Sequence, residues 1–243
     1  MEESIYLSIV IPAYNAAEIL DRKLPVLIRY LDQQSFRYEI IISDDGSNDA
    51  GETKRISSSY NCEYICNEKN TGKGAAVRNG MMHARGKYRI FTDADIPYEP
   101  ESISQMLNCM DRGKAPMVIG DRNLIGSSYF KEIPIFRRIS SAFFTYFVGT
   151  IVTTDFFDTQ CGIKGFTAET ANLIFNKSRI DGFTFDVEII YIALKRKIAI
   201  QKIPVKLKNQ ERSTVKVFKH GILMFLDLFR IKINNVRGFY KQS

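Results

Sequence analysis

Short apolar runs alternate with helix-like spacing in the first half of this 243-residue chain. The first run is LSIVI, residues 7–11, and it is apolar almost throughout, as expected of a parallel strand buried on both faces. Apolar residues spaced by three and four follow it, and a second run occupies residues 38–43. The same order repeats up to a fourth strand at residues 88–92. The alternation predicts an α/β fold with a doubly wound, mostly parallel sheet and helices on both faces.

Polar or acidic residues lie where three of these strands end. Pro12 and Tyr14 follow the first strand, Asp44 ends the second, and Asp93 and Asp95 follow the fourth. Ligands bind at the carboxyl ends of the strands in such sheets. We therefore expect these side chains to lie at one site.

Asp93 and Asp95 have the residue type and spacing of a divalent-cation site. Two aspartates separated by one residue reach one ion only if the chain turns as the strand ends, and Pro97 supports such a turn. A site with few carboxylates suits Mg²⁺ or Mn²⁺, with substrate phosphates and water completing the shell. The implied ligand is a nucleoside diphosphate. On its own, the triplet is equally typical of a solvated loop end.

Two further motifs have simpler explanations when each is taken alone. Residues 44–47, DDGS, are typical of a turn that begins with a helix cap. The Gly-rich turn NTGKG, residues 70–74, has neither the spacing of a P-loop nor that of the dinucleotide-binding fingerprint. These differences argue against an NTPase and against a dehydrogenase.

Taken together, the order and spacing of these motifs resemble the inverting family 2 glycosyltransferases of the GT-A fold. DTQCGIKGF at residues 158–166 and GFTFDVE at residues 182–188 resemble the polyprenyl-phosphate branch, which includes dolichyl-phosphate glucosyl- and mannosyltransferases. The resemblance extends from residue 8 to residue 216. It implies an enzyme that moves a hexose, glucose or mannose, from a nucleotide sugar to a polyprenyl phosphate. A UDP-sugar is favoured over a GDP-sugar because a carboxylate accepts well from the ring N–H of uracil.

The resemblance and the chemistry of the leaving group assign roles in the nucleotide half. Asp93 and Asp95 are the metal ligands, and the ion neutralises charge on the departing diphosphate. Asp44 reads the edge of the base, and glycine at position 74 lets the backbone approach the nucleotide. The residues expected to bind the nucleotide are Pro12, Tyr14, Asp44, Lys73, Gly74 and Asp93.

A second set of residues is expected to bind the acceptor and to carry the transfer. The acceptor-phosphate residues are Arg122, Arg137, Arg138, Arg212 and Lys216, since arginine and lysine both bind phosphate. Gln160, Gly162 and Glu188 are expected to position the sugar or the acceptor. The catalytic residues are expected to be Asp95, Asp158, Asp186, Arg122 and Arg138.

The kind of acceptor decides whether a base is needed. A phosphate acceptor is already ionised near neutral pH, so positioning and electrostatics can carry the transfer. A hydroxyl of a surface glycan or lipid headgroup would need a base, and Asp158 and Asp186 are the candidates. A non-catalytic nucleotide-sugar-binding protein is an alternative of another class.

The C-terminal end of the chain is strongly basic. Residues 201–243 contain ten Lys or Arg and two acidic residues, whereas the whole chain has a net charge of +7. Residues 218–233 have the pattern of an amphipathic basic helix, and residues 136–151 form a second apolar stretch, with Arg137 and Arg138 near its start as a possible charged anchor. Both are shorter than the ~20 apolar residues of a membrane span, so we expect them to lie in a membrane interface. Packing on the protein's own core is the alternative.

We expect one domain over residues 1–243. It comprises a nucleotide-sugar half at about 1–120, an acceptor half at about 121–216 and a C-terminal helix at about 214–236. The four cysteines lack zinc-ligand spacing, which favours reduced thiols. The first strand begins too early for a signal peptide. The expected location is the cytoplasmic face of a membrane, to which the protein would bind peripherally. The sequence contains no nucleic-acid-binding motif, so no nucleic-acid partner is expected. A homo-oligomer is compatible with the sequence.

Overall fold

A seven-stranded sheet lies at the centre of the computed structural model, which describes residues 4–128, 158–159, 161–207 and 217–241. The strands are β1 (Leu7–Ala13), β2 (Tyr38–Asp44), β3 (Glu63–Cys66), β4 (Tyr88–Thr92), β5 (Met117–Asp121), β6 (Ile163–Thr167) and β7 (Ile200–Pro204). The helices are α1 (Ala17–Leu31), α2 (Glu52–Ser59), α3 (Lys73–His83), α4 (Glu101–Asp111), α5 (Ala168–Phe175), α6 (Phe185–Lys195) and α7 (Val217–Val236). The α/β prediction is confirmed.

The strand order in the sheet is β3-β2-β1-β4-β6-β5-β7. Strand β6 runs antiparallel to both of its neighbours, and the other paired strands are parallel. In the parallel part, Ala13 is in register with Asp44, and Val10 is in register with Phe91. The carboxyl ends of β1, β2 and β4 therefore meet at one edge of the sheet, as the sequence predicts.

Apolar side chains cover both faces of the sheet. On one face, Leu20, Leu24, Leu27 and Leu31 of α1 are buried, with the three- and four-residue spacing of an amphipathic helix. Each such leucine contributes about 1.5–3 kcal/mol through burial. Helices α3, α5 and α6 form the core on the other face, and α6 is buried on all sides from residue 185 to residue 193.

Helix α7 packs its inner face on the core and exposes an apolar outer face. Leu228 and Ile231 are fully buried. The exposed apolar side chains are Leu223, Leu226, Phe229, Ile233 and Val236. The predicted amphipathic helix is present, although the side chains of residues 217–222 lie outside the described residues. None of the described helices is long and apolar enough to cross a membrane.

Candidate active site

The chain turns directly after β4, and this turn carries Asp93 and Asp95. The amide of Ile96 donates to the carbonyl of Asp93 at 2.9 Å. Ile96 has a φ of 39°, which is rare for a β-branched residue and marks local backbone strain. The turn required for the two carboxylates to approach one another is therefore present.

The environment of Asp95 suits a bound cation. Burial, and then the charge of Asp93, raise the pKa of Asp95 to about 6, although Lys73 and Lys23 act in the opposite direction. A divalent cation would relieve this repulsion, and two carboxylates are hard oxygen ligands of the kind that Mg²⁺ and Mn²⁺ prefer. Among the described residues, no group of three or more His, Cys, Asp or Glu side chains has metal-binding geometry. The two aspartates thus fit an ion whose coordination shell is completed by substrate oxygens and water.

Lys73, the first residue of α3, donates a hydrogen bond from Nζ to the Asp93 carboxylate. Burial acts to lower the pKa of Lys73, but the charges of Asp93 and Asp186 raise it above its ordinary value. Gly162 closes the other side of Asp93, because a Cβ there would lie 2.1 Å from Asp93 Oδ2. The structure thus brings Lys73 and Gly162 together at the turn that carries Asp93 and Asp95.

Asp45 is a site residue that the sequence interpretation missed. Its Oδ1 accepts hydrogen bonds from the Thr71 amide at 3.0 Å and from Asn67 Nδ2 at 2.9 Å, and its Oδ2 accepts from the Gly72 amide at 2.7 Å. These bonds hold the loop that leads into Lys73. The paired aspartates of the DDGS motif were the available signal.

Asp44 is fully buried at the end of β2. Its Oδ1 accepts from the Ser47 amide at 2.9 Å, and its Oδ2 accepts from the Tyr64 hydroxyl at 2.6 Å. Nearby, Pro12 is buried in β1, whereas Tyr14 is 46% exposed. Of these three predicted nucleotide contacts, Tyr14 offers the most accessible surface.

The role expected of Gly74 requires a correction. Its amide donates to the Asp181 carbonyl at 2.7 Å, so this amide does not face a nucleotide. A Cβ at this position would lie 2.5 Å from the Ile180 carbonyl oxygen and 2.7 Å from Phe185 Cβ. Glycine is needed here so that α3 can pack on residues 180–185.

Glu188 also differs from the expectation. It is fully buried and accepts hydrogen bonds from the amides of Arg179 and Ile180, each at 2.9 Å, and from the Tyr240 hydroxyl. With both oxygens engaged by these donors, Glu188 stabilises the fold and does not reach a sugar.

The two predicted candidate bases both lie in ion pairs. Asp158 accepts three hydrogen bonds from Arg122, namely from its amide at 2.8 Å, its Nε at 2.9 Å and its Nη2 at 2.6 Å. Burial acts to lower the pKa of Arg122, but the bonds and charge of Asp158 raise it well above its ordinary value. Asp186 accepts from Nζ of the buried Lys164. Five predicted residues lie outside the described residues: Arg137, Arg138, Gln160, Arg212 and Lys216.

Residues 8–167 match the family described as Glycosyl transferase family 2. The chain belongs to this family. A Dictyostelium discoideum protein named dolichyl-phosphate beta-glucosyltransferase is 35% identical to this glycosyltransferase over 98% of the chain and 77% of the relative. Proteins of the same name from Homo sapiens and Saccharomyces cerevisiae are 31% and 29% identical, over 97% and 100% of this chain and 77% and 78% of theirs.

Solved structures of the same fold agree with this assignment. Mannosyl-3-phosphoglycerate synthase from Rubrobacter xylanophilus superposes with a TM-score of 0.71 at 17% identity, covering 98% of this chain and 76% of the other. Glucosyl-3-phosphoglycerate synthase from Mycobacterium tuberculosis, solved with Mn²⁺, UDP and phosphoglyceric acid, gives 0.70 at 14% identity, covering 93% and 78%. The glycosyltransferase has the GT-A fold, so the resemblance in its motifs is confirmed and the non-catalytic alternative is set aside.

Proposed function

We propose that this family 2 enzyme transfers glucose from UDP-glucose to dolichyl phosphate or a related polyprenyl phosphate. The observation that carries the proposal is the similarity to proteins named dolichyl-phosphate beta-glucosyltransferase, which extends over 98% of the chain at 35% identity. UDP is the proposed nucleotide, and the fold neighbour solved with UDP supports this choice.

The proposed cofactor is Mg²⁺ or Mn²⁺, held by Asp93 and Asp95. When bound, the ion would neutralise the charge that develops on the leaving diphosphate. Lys73 holds Asp93 in place and brings a second positive charge to the same end of the sheet. Tyr14 would lie against the base, and the bonds from Ser47 and Tyr64 to Asp44 would have to open for that carboxylate to reach the edge of the base.

A phosphate acceptor fits the ion pairs of this site better than a hydroxyl does. Asp158 is bonded to Arg122, and Asp186 is bonded to Lys164, so both candidate bases already have cationic partners. An ionised phosphate needs no base. Arg122 is the proposed phosphate ligand among the described residues, and the proposed ligands outside them are Arg137, Arg138, Arg212 and Lys216.

Association with a membrane surface is part of the proposal, because a polyprenyl phosphate stays in the bilayer. The apolar outer face of α7, residues 223–236, is flanked by the exposed cations Arg230, Lys232 and Arg237. Such a helix suits an interface that contains anionic headgroups. We propose peripheral attachment at the cytoplasmic face.

A donor-by-acceptor screen tests the function. UDP-glucose, UDP-galactose and GDP-mannose are each incubated with dolichyl phosphate, dolichol or no acceptor, in the presence of Mg²⁺, Mn²⁺ or EDTA. We expect release of UDP and formation of glucosylated lipid only with UDP-glucose, dolichyl phosphate and a divalent ion. Equal transfer to dolichol would support the hydroxyl alternative, and selective use of GDP-mannose would contradict the proposed donor.

A further inference from the structure

Lys164, the second residue of β6, is a wholly buried charged side chain that contacts neither donor nor acceptor in the mechanism above. Its Nζ donates to the Cys161 carbonyl at 2.7 Å and to the Asp186 carboxylate, and it lies 5.4 Å from the centroid of the Phe91 ring. Burying an ammonium group is costly, and an apolar side chain of similar volume would often stabilise the fold more. This buried lysine therefore calls for a functional explanation.

Alternating charges connect this ion pair to the turn that carries Asp93 and Asp95. Asp186 lies in the first turn of α6, directly after Phe185, and Lys73 Nζ is 5.9 Å from the centroid of the Phe185 ring. In keeping with this placement, the charges of Lys73 and Asp186 each shift the pKa of the other. Lys73 in turn is bonded to Asp93. The order is thus carboxylate, ammonium, carboxylate, ammonium, from Asp93 to Lys164. Asp186 lies between two cations, one at the site and one inside the sheet.

We propose that Lys164 is a positioning residue for the transfer, because it holds the Asp186 carboxylate as the second counter-charge of Lys73. A divalent cation bound to Asp93 would compete with Lys73 for the Asp93 carboxylate. With Asp186 beside it, the Lys73 ammonium keeps a partner and stays next to the nucleotide phosphates. The inference rests on the proposed use of a nucleotide-bound metal, but Lys164 itself is wholly buried and would touch neither substrate nor metal.

The groups that face Asp186 decide its charge. They are Lys164 from β6, Lys73 from α3 and Asp93 from the end of β4. Burial raises the pKa of Asp186, while Lys164 and then Lys73 act to lower it. Removing Lys164, which has the larger effect of the two and is bonded to Asp186, should let Asp186 bind a proton at a higher pH. Lys73 would then lose its second partner.

The test compares Lys164→Met and Lys164→Arg with Lys114→Met, a control at an exposed lysine between α4 and β5. For each protein, UDP affinity with Mn²⁺ is measured by calorimetry, and kcat and KM are measured across pH 5–9. In Lys164→Met we expect kcat to fall by roughly tenfold or more, and the acidic limb of the pH profile to move to higher pH. Lys164→Arg should keep the position of that limb. A folded Lys164→Met protein with the unsubstituted rate and pH profile would overturn the proposal.

A double variant separates positioning from simple stabilisation. Removal of both charges in Lys164→Met/Asp186→Asn should restore thermal stability relative to Lys164→Met, because no buried charge is left without its partner. Activity should remain low. Recovery of activity together with stability would mean that Lys164 is only structural.

Two further readouts keep the test decisive. If Lys164→Met does not fold, ¹³C NMR of the unsubstituted protein replaces it, and the Asp186 signal is assigned by its loss in Asp186→Asn. We expect an ionised Asp186 carboxylate at pH 7. A protonated carboxyl would refute the proposal. UDP affinity needs no acceptor lipid. Loss of affinity in Lys164→Met without any glucose transfer to dolichyl phosphate by the parent would therefore support the role of Lys164 while contradicting the proposed acceptor.

Discussion

The Tyr240 hydroxyl donates a hydrogen bond to the buried Glu188 carboxylate and so joins the segment after α7 to helix α6. The same carboxylate accepts the amides of Arg179 and Ile180. The next residue, Asp181, supplies the carbonyl that accepts the Gly74 amide in α3. The C-terminal segment is therefore connected through a few hydrogen bonds to the helix that begins with Lys73.

Tyr240→Phe should lower the free energy of unfolding by about 1–3 kcal/mol, because a buried carboxylate loses a donor. Urea unfolding measures this loss, and Tyr14→Phe, at an exposed tyrosine, is the control. Burial raises the pKa of Glu188, so the group favours folding at low pH and loses that contribution as pH rises through its folded-state pKa. Because the Tyr240 hydroxyl stabilises the ionised Glu188 carboxylate, the loss of folding free energy in Tyr240→Phe should be larger at pH 8 than at pH 5. An equal penalty at both values would argue against an ionised Glu188.

Asp95→Asn should abolish transfer and weaken Mn²⁺-dependent UDP binding while stabilising the metal-free protein. The pKa of Asp95 is raised to about 6, so its contribution to folding is greatest at low pH and is lost as pH rises toward and through 6. Because Asp95 is only partly buried, we expect Asp95→Asn to gain about 1–2 kcal/mol at pH 8, after allowance for solvent screening. Thermal unfolding with EDTA checks the stability, and calorimetry checks the binding. A fully active Asp95→Asn protein would remove the metal assignment.

Gly162→Ala should displace Asp93, since the new methyl group would lie 2.1 Å from Asp93 Oδ2. We expect kcat/KM to fall by about 100-fold, because misplacing a catalytic group by about 1 Å can cost that much. Gly182→Ala is the control, as its methyl group would come no closer than 3.4 Å to Asp227 Oδ2. Retention of full activity by Gly162→Ala would mean that the position of Asp93 is not critical.

Asp158→Asn should reduce transfer without being rescued by small added bases. The carboxylate holds Arg122 through three hydrogen bonds, so its loss should release the guanidinium and raise KM for the acceptor phosphate. Steady-state kinetics with dolichyl phosphate, with and without azide or formate, measures both effects. Rescue by either anion would instead assign Asp158 as the base for a hydroxyl acceptor.

Phe229→Ser/Ile233→Ser should weaken binding to anionic vesicles while leaving the fold intact, because these side chains are 50% and 48% exposed. Raised salt should remove the electrostatic part of the binding in the parent and leave an apolar remainder, which the double variant should lose. Val26→Ser, at a 48% exposed position on α1, is the control. A parent protein that does not bind vesicles at low salt would contradict the membrane proposal.

The sequence was most informative where local pattern and topology agree. The ends of β1, β2 and β4 were predictable because parallel strands align their carboxyl ends, and the turn at Asp93 followed from the spacing of its carboxylates. Glu188 was misassigned because it shares a motif with Asp186. Two residues apart on a helix, however, the two side chains point about 160° apart, so only one of them faces the site.

Other features depend on long-range packing that no local pattern encodes. The glycine at position 74 was taken as a sign of ligand approach, yet the backbone it accommodates is residues 180–181, more than 100 positions later. The antiparallel direction of β6 was not foreseen, because a short strand containing Lys164 carries no signal of its direction. The burial of this charged lysine is explained by its ion pair with Asp186, which comes from a distant part of the sequence.

Strand β6 comes from the second half of the sequence, yet it lies between β4 and β5 of the first half. A fragment ending near residue 120 would therefore leave β5 without either of its partners, β6 and β7. Exchanging the segment after residue 121 between members of this family would mean rebuilding the hydrogen-bond ladders on both sides of β6. Changes of acceptor preference should consequently be easier to reach through substitutions in the segments that follow β5 and β7 in the sequence than through recombination of whole segments.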